Sequence, residues 1–569
     1  MSAIAVAPPR PAVPSASPPN RLRVLRRPLA ACALLLVVYV GLSYAKDPRA
    51  FLSTDTGGKV ATLRAMDARH DLSPDLGYWA HAVDPHGVYH PIALTQQVGG
   101  QWVNVTTLPM IYAAYPLYEL GGLRAILLLP MLGGVLSALG ARALARRLGG
   151  RGDLAFWLVG LATPVVVYSI DFWEHTLGLA AMVWGIVVLF DVADRRAGWH
   201  ADWRGALVGG ALFGLAATMR TEALVYAAAT VAVVAWSTRG RGIGSLVRLG
   251  TAALGGLALP LLANQALEEL VLGTGLRAAR AANAASVGGL HLVARVEDAL
   301  TTTVGLNDYR GALDWILGGL IVVALAVAAR WLLATDGRRR RLGWVALAVA
   351  VLFYALRLKD GLGFLPGLLI ASPLAVAGLV VAGHRPEFRR PVAIALLALP
   401  VVWVFEYGGG AEPQWGGRYE LCSGLLLAVV AAVALERVPW RHAVAVVAVA
   451  GAISAAGLAW LSVRSHAFAH VETVVAAEPN PVVTTDFPHF FREGGAFYTP
   501  TRRWLTAETP SQLPGAARLL ARLDTPSFTL VSLQAQQAPA RLGPYVRGPA
   551  RLVPLFSGNT VHLTQYTRP

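Results

Sequence analysis

Charge is scarce in this 569-residue chain, with only 14% of residues Asp, Glu, Lys or Arg, where soluble domains average about 25%. Together with 55% hydrophobic residues and a mean hydropathy of +0.52, that shortage excludes a soluble globular protein. Lysine is nearly missing: Lys46, Lys59 and Lys359 stand alone among 49 basic residues. Such a bias is typical of GC-rich coding and points to a bacterial source. The two cysteines, Cys32 and Cys422, fall inside or at the edge of apolar runs, where they pack as small hydrophobes rather than forming a bridge or a metal site. No small-residue cleavage site of the A-x-A type follows the first apolar run, which is therefore read as a span and not as a signal peptide. The net charge of +16 does not point to nucleic acid, because the basic residues form no single patch and lie between the apolar runs.

What is abundant is apolar sequence in lengths that cross a bilayer. Roughly thirteen runs suit a hydrocarbon core of about 30 Å. They lie at 29 to 45, 123 to 141, 154 to 170, 176 to 190, 205 to 219, 223 to 236, 246 to 266, 312 to 333, 342 to 356, 363 to 382, 391 to 405, 420 to 435 and 442 to 462. Residues 1 to 28, rich in Pro, Ala and Ser and then basic at Arg21, Arg23, Arg26 and Arg27, read as a disordered cytoplasmic tail. With the N-terminus inside, every cytoplasmic loop is arginine-rich, for example Arg142/Arg146/Arg147/Arg151 and Arg338 to Arg341, as the positive-inside rule requires. The expected architecture is an all-α polytopic domain over 29 to 464, with a large outer loop at 46 to 107 and a small extracytoplasmic α/β domain at 465 to 569. In that last domain, 481 to 485 and 527 to 532 read as strands and 514 to 523 as a helix.

Ionisable groups near a membrane core are costly, so those at the outer ends of spans are functional candidates. Four groups fall on that face. Asp55 and Lys59 flank two glycines just after the first span, a carboxylate suited to general-base work and a cation suited to phosphate, or else an ordinary solvated loop start. Asp171, Glu174 and His175 crowd a five-residue link, where they could orient an acceptor, relay a proton or bind a divalent ion. Arg220 and Glu222 separate two short apolar runs, as a structural pair or as a site for an anionic lipid phosphate. Arg418 is the lone basic residue of the loop before the twelfth span, and Lys359, with Arg357 and Asp360, adds a second basic spot on the same side.

This succession resembles the GT-C superfamily of integral-membrane glycosyltransferases. The likeness rests on Asp55 with Gly57 and Lys59 after the first span, on Trp173-Glu174-His175, on Arg220-Thr221-Glu222 where relatives often carry Arg-Pro-Glu, and on Trp415-Gly416-Gly417-Arg418-Tyr419. The resemblance implies transfer of a hexosyl or pentosyl unit, in the manner of mannosyl- or arabinosyltransferases, from a polyprenyl-phosphate-linked donor to a glycan, lipid or protein acceptor on the outer face of the plasma membrane. It makes Asp55 the catalytic base, with Glu174 and His175 around the acceptor or a metal. Lys59, Asp171, Arg220, Glu222, Lys359 and Arg418 are then substrate-binding candidates. Thr221 departs from the usual proline, and no Asp-x-Asp pair surrounds Asp55, so a divalent cation stays an open option.

The competing class is a multi-span transporter or lipid flippase without glycosyl transfer. Such proteins place ionisable groups near the bilayer midplane in broken helices related by a repeat. Here the charges gather at one face, the spans are Ala/Leu/Val-rich through their middles, and no internal repeat is visible.

Overall fold

The computed structural model describes residues 21 to 569 apart from 51–53, 93, 195–198, 277, 281–291, 308–310, 333–336, 360, 407–413, 488–489, 491–494, 498–501, 534–537 and 556–558. Residues 1 to 20 of the tail expected over 1 to 28, and Asp360, thus lie outside the described residues, while residues 21 to 28 of that tail are helical and open the first helix. Each expected apolar run falls on one helix or on a broken pair. In chain order the first part holds α1 (Arg21–Ser43), α2 (Thr54–Arg69), strands β1 (Thr95–Val98) and β2 (Gln101–Asn104), α3 (Leu108–Ala125), α4 (Leu128–Arg147), α5 (Asp153–Leu161) and α6 (Val165–Ser169). There follow α7 (His175–Asp194), α8 (Trp199–Met219), α9 (Glu222–Thr238), α10 (Ile243–Leu272), α11 (Leu292–Val304), α12 (Ala312–Leu332) and α13 (Gly337–Leu358). The last helices of this part are α14 (Leu368–Ala371), α15 (Pro373–Val381), α16 (Arg389–Phe405), α17 (Leu421–Leu435) and α18 (Trp440–Ala476).

Among the described residues nine helices are long and apolar enough to cross a membrane, and shorter apolar helices occupy Pro28–Ser43 and Pro373–His384. The chain is a multi-pass membrane protein. Helices α4, α7 and α17 are mostly buried against protein, while α10 and α13 are mostly exposed, so the first three form the centre of the bundle and the others face lipid. This matches their composition: α17 is apolar on every side, as a helix surrounded by other helices must be.

The outer loop is more ordered than its sequence indicates. Residues 54 to 69 form α2 despite a Gly-Gly pair in the second turn, because the helix is buried on two sides. Val60, Leu63 and Met66 enter the core of the helical bundle, and Ala61 and Ala65 enter a second core shared with the C-terminal domain. Tertiary burial here outweighs the propensity cost of two glycines, about 1 kcal/mol each.

After α18 runs unbroken to Ala476, the chain forms β3 (Val482–Thr485), β4 (Arg503–Thr506), α19 (Leu513–Arg522), β5 (Ser527–Leu533), β6 (Arg541–Leu542), β7 (Tyr545–Pro554) and β8 (Thr560–Thr567). These strands make a six-stranded sheet in the order β4-β3-β5-β8-β7-β6. Pairs β3–β4 and β3–β5 are parallel, and the remaining pairs are antiparallel. One face packs on the end of α18 through Val471 and Val475, and the other is covered by α19 through Leu513, Ala517 and Leu520. The outer loop closes onto the same sheet: the Trp79 indole donates to the Trp504 carbonyl at 3.0 Å, and the Thr506 hydroxyl donates to the Pro91 carbonyl at 3.0 Å.

Candidate functional site

The site is assembled where α2, the link between α6 and α7, the α8–α9 turn and the turn before α17 converge. Asp55 lies in the first turn of α2, where a carboxylate complements the positive end of the helix dipole. Lys59 is four residues on, hence on the same helix face. It is fully buried and pairs with Glu174. Residues 171 to 175 are all buried against protein, with Asp171, Phe172 and Trp173 at 0% exposure. The outer loop accounts for this burial: α2 and the residues around Lys46 cover the link, and buried Lys46 supplies the counter-charge of Asp171. A buried lysine or carboxylate is tolerable only with such a partner.

Arg220 joins the chain of charge from the α8–α9 turn. Its Nε donates to both Glu222 oxygens at 3.0 and 3.2 Å, and its Nη1 donates to Glu174 at 3.4 Å. Its Nη2 has no hydrogen-bond partner among the described residues. The Tyr419 ring lies beneath two guanidinium groups, 4.8 Å from Arg220 and 4.7 Å from Arg418. Arg418, which had no evident partner in the sequence, donates to Asp55 at 3.0 Å across a gap of 363 residues. Its placement depends on Gly416 and Gly417, whose φ angles of +83° and +67° are conformations that side chains with a Cβ rarely adopt.

His175 opens α7 and is stacked among aromatic rings, 4.1 Å from Trp173 and 5.3 Å from Tyr168 between centroids. Neither ring nitrogen has a hydrogen-bond partner among the described residues. The structure therefore brings together Asp55, Lys59, Glu174, His175, Arg220, Glu222 and Arg418, and holds Asp171 next to them through the Lys46 pair. Lys359 is different: it is exposed at the end of α13 and makes no ion pair with this cluster among the described residues, while its neighbour Arg357 turns to Asp314 at 3.4 Å.

Two contributors escaped the sequence reading. Lys46 is one of only three lysines, and that rarity was its available signal. Glu420 is the single carboxylate in the apolar run 420 to 435. It is fully buried, and its Oε1 accepts from Trp403 at 2.8 Å, Thr302 at 3.0 Å and Thr303 at 3.3 Å. These bonds tie the turn carrying Arg418 to α11 and α16. Among the described residues no group of three His, Cys, Asp or Glu side chains gathers in a way that could hold a metal ion.

No family model matches the sequence, and no curated protein does. Solved structures do match. ArnT from Cupriavidus metallidurans bound to undecaprenyl phosphate superposes with a TM-score of 0.51 at 14% identity, over 96% of this chain and 98% of that one. The same protein in the apo state gives 0.44 at 15% identity, over 95% and 98%. The apo oligosaccharyltransferase of Archaeoglobus fulgidus gives 0.46 at 13% identity, over 88% of this chain and 69% of that one. In fold, over nearly its whole length, the chain is similar to ArnT.

Proposed function

We propose that the protein is a membrane glycosyltransferase that moves a sugar from a polyprenyl-phosphate-linked donor to a glycan, lipid or protein acceptor on the extracytoplasmic face. The observation that carries this reading is the charge cluster in which a partly exposed carboxylate, Asp55, pairs with Arg418, while buried Glu174 joins Lys59 to Arg220 beside it. An acceptor hydroxyl attacking an anomeric carbon must lose a proton, and the departing lipid phosphate must have its growing negative charge stabilised. Asp55 serves the first need and the cations serve the second.

The balance of charge gives the order of events. Asp55, Glu174 and Glu222 offset Lys59, Arg220 and Arg418 among the described residues, so a phosphate that takes one of these cations competes with its carboxylate. The Asp55–Arg418 pair is the most exposed of these, at 26% and 11% of the side chains, and yields most readily. When phosphate takes Arg418, Asp55 is released as the proton acceptor, and donor binding thereby arms the base. Glu174 holds Lys59 and Arg220 in place, and the unpartnered nitrogens of His175 are available to orient the acceptor.

Topology fits the same reading. The outer loop and the C-terminal sheet pack together, so an even number of crossings separates them, and twelve of the thirteen apolar runs lie between. With the arginine-rich loops inside, both segments, and the site beneath them, face outward, and the N-terminus is cytoplasmic. The test is Asp55→Asn. It should lower turnover by about 100-fold or more, while binding of a polyprenyl-phosphate lipid is retained or tightened because Arg418 has lost its internal competitor. Full transfer activity in this variant removes Asp55 from the mechanism, and lipid binding without any transfer by the wild type favours a flippase.

A further inference from the structure

A second polar row lies in the C-terminal domain, away from the charge chain. In the parallel pair β3–β5, Thr485 is opposite Val531, and the Asp486 amide donates to the Val531 carbonyl at 3.4 Å, which places Asp486 beside Ser532. In the antiparallel pair β5–β8, Ser532 is directly opposite His562. Side chains alternate across a sheet, so Asp486, Ser532 and His562 form a line across three neighbouring strands, with Thr484 on the same face one step back. That face is the one α19 covers, through Val482, Leu530 and Tyr566 further down the strands. The row sits past this apolar patch, at the carboxyl ends of the parallel strands, where open α/β sheets bind their ligands.

The row is polar and incompletely satisfied. Asp486 is 5% exposed and Thr484 1%, yet Asp486 Oδ1, Thr484 Oγ1 and His562 Nε2 have no hydrogen-bond partner among the described residues. Buried polar atoms left in this state carry the full penalty of their desolvation. Burial pushes the Asp486 carboxyl up to about 6, against the opposing effect of the neighbouring Ser532 hydroxyl. Ser532 stands between the carboxylate and the imidazole, so Asp486 cannot orient His562 as the base of a nucleophilic serine. The row thus suits binding rather than covalent chemistry.

We propose that Asp486, Ser532, His562 and Thr484 form a subsite for a neutral sugar residue. A carboxyl, two hydroxyls and an imidazole offer the mixture of acceptors and donors that vicinal sugar hydroxyls need, and the row contains no lysine or arginine to recognise an anion. The partly exposed His562 marks its opening. Nine residues beyond Asp486 in the sequence, Gly495 is so close to the Gly57 carbonyl that an added Cβ would lie 1.8 Å from it. Gly57 is two residues from Asp55. That the bound sugar belongs to the acceptor rests on the glycosyl-transfer reading; that a sugar binds here does not.

The test is saturation-transfer NMR on the full chain in nanodiscs, free of sugar-based detergents, with arabinose, mannose, glucose and galactose as probes. At least one should bind in the millimolar range. Asp486→Ala, Ser532→Ala and His562→Phe should each weaken that binding about tenfold or more, with unfolding temperature as the control. Ser532→Ala removes one atom and carries the test if a larger change prevents folding. Binding of polyprenyl phosphate should be unchanged in Ser532→Ala. Sugar binding lost in that variant, from a wild type that binds no polyprenyl phosphate, upholds the subsite while the transferase reading fails. Absence of binding by every probe, or equal binding by wild type and variants, overturns the proposal.

Discussion

Alanine at Arg220 and at Arg418 should separate two roles played by the same residue type in one cluster. Arg220 is buried between Glu222, whose side chain is 3% exposed, and Glu174, 6% exposed. Arg220→Ala strips Glu222 of its guanidinium and leaves Glu174 with Lys59. Removing one partner of a buried pair costs about 3 to 5 kcal/mol, and the loss should appear as a marked fall in unfolding temperature. Arg220→Gln combined with Glu222→Gln, which removes both charges, should recover most of it. Arg418 differs because its partner Asp55 keeps contact with solvent. Arg418→Ala should change stability by about 1 kcal/mol or less, yet weaken polyprenyl-phosphate binding by about 1.5 to 3 kcal/mol, the range for a hydrogen bond to a charged group. The assays are thermal unfolding and lipid binding on the same preparations. Equal destabilisation by both alanines, or unchanged lipid binding in Arg418→Ala, would refute the division of labour.

Other outcomes follow from the same structure. An alkaline phosphatase reporter fused after Ala476 should be active, and a cytoplasmic reporter there inactive; the reverse would put the sheet and the outer loop on the wrong side. In the outer loop, burial pushes His90 down to about 4, although both ring nitrogens lie 3.2 Å from the carbonyls of Ile92 and Gly77. The folded state therefore favours the neutral ring. Its contribution is complete above the unfolded value of about 6.5 and is lost as pH falls toward 4, a change of about 3 kcal/mol in all. Unfolding measured from pH 7 down to pH 4 should show this decline in the wild type and a shallower one in His90→Gln.

Much of the helical part was legible because a membrane imposes a length and an apolar composition that few other contexts produce. The motif residues were legible for the converse reason: Asp55, Arg220 and Glu222 are conspicuous in a chain so poor in charge. What the sequence hid is set by contacts between distant segments. The Asp55–Arg418 pair and the Lys46–Asp171 pair span gaps of 363 and 125 residues, and no local pattern announces them. The burial of 171 to 175 depends on a loop whose own helix is unmarked by amphipathic periodicity. In the C-terminal domain, β3, β5 and α19 match their expected positions, whereas β7 is interrupted by Gly548 and Pro549, with a register shift between Arg547 and Ala550. A proline inside a strand obscures the alternating pattern by which strands are recognised.

The proposed function requires that Arg418 and its neighbours hold the phosphate of a polyprenyl lipid. Its most direct test is native mass spectrometry of the wild type and Arg418→Ala, each supplied with polyprenyl phosphate in an excess of membrane phospholipid. The wild type should retain one polyprenyl phosphate, and the variant should lose it while remaining folded. A wild type that retains only phospholipid, or a variant that keeps the polyprenyl phosphate as firmly as the wild type, would contradict it.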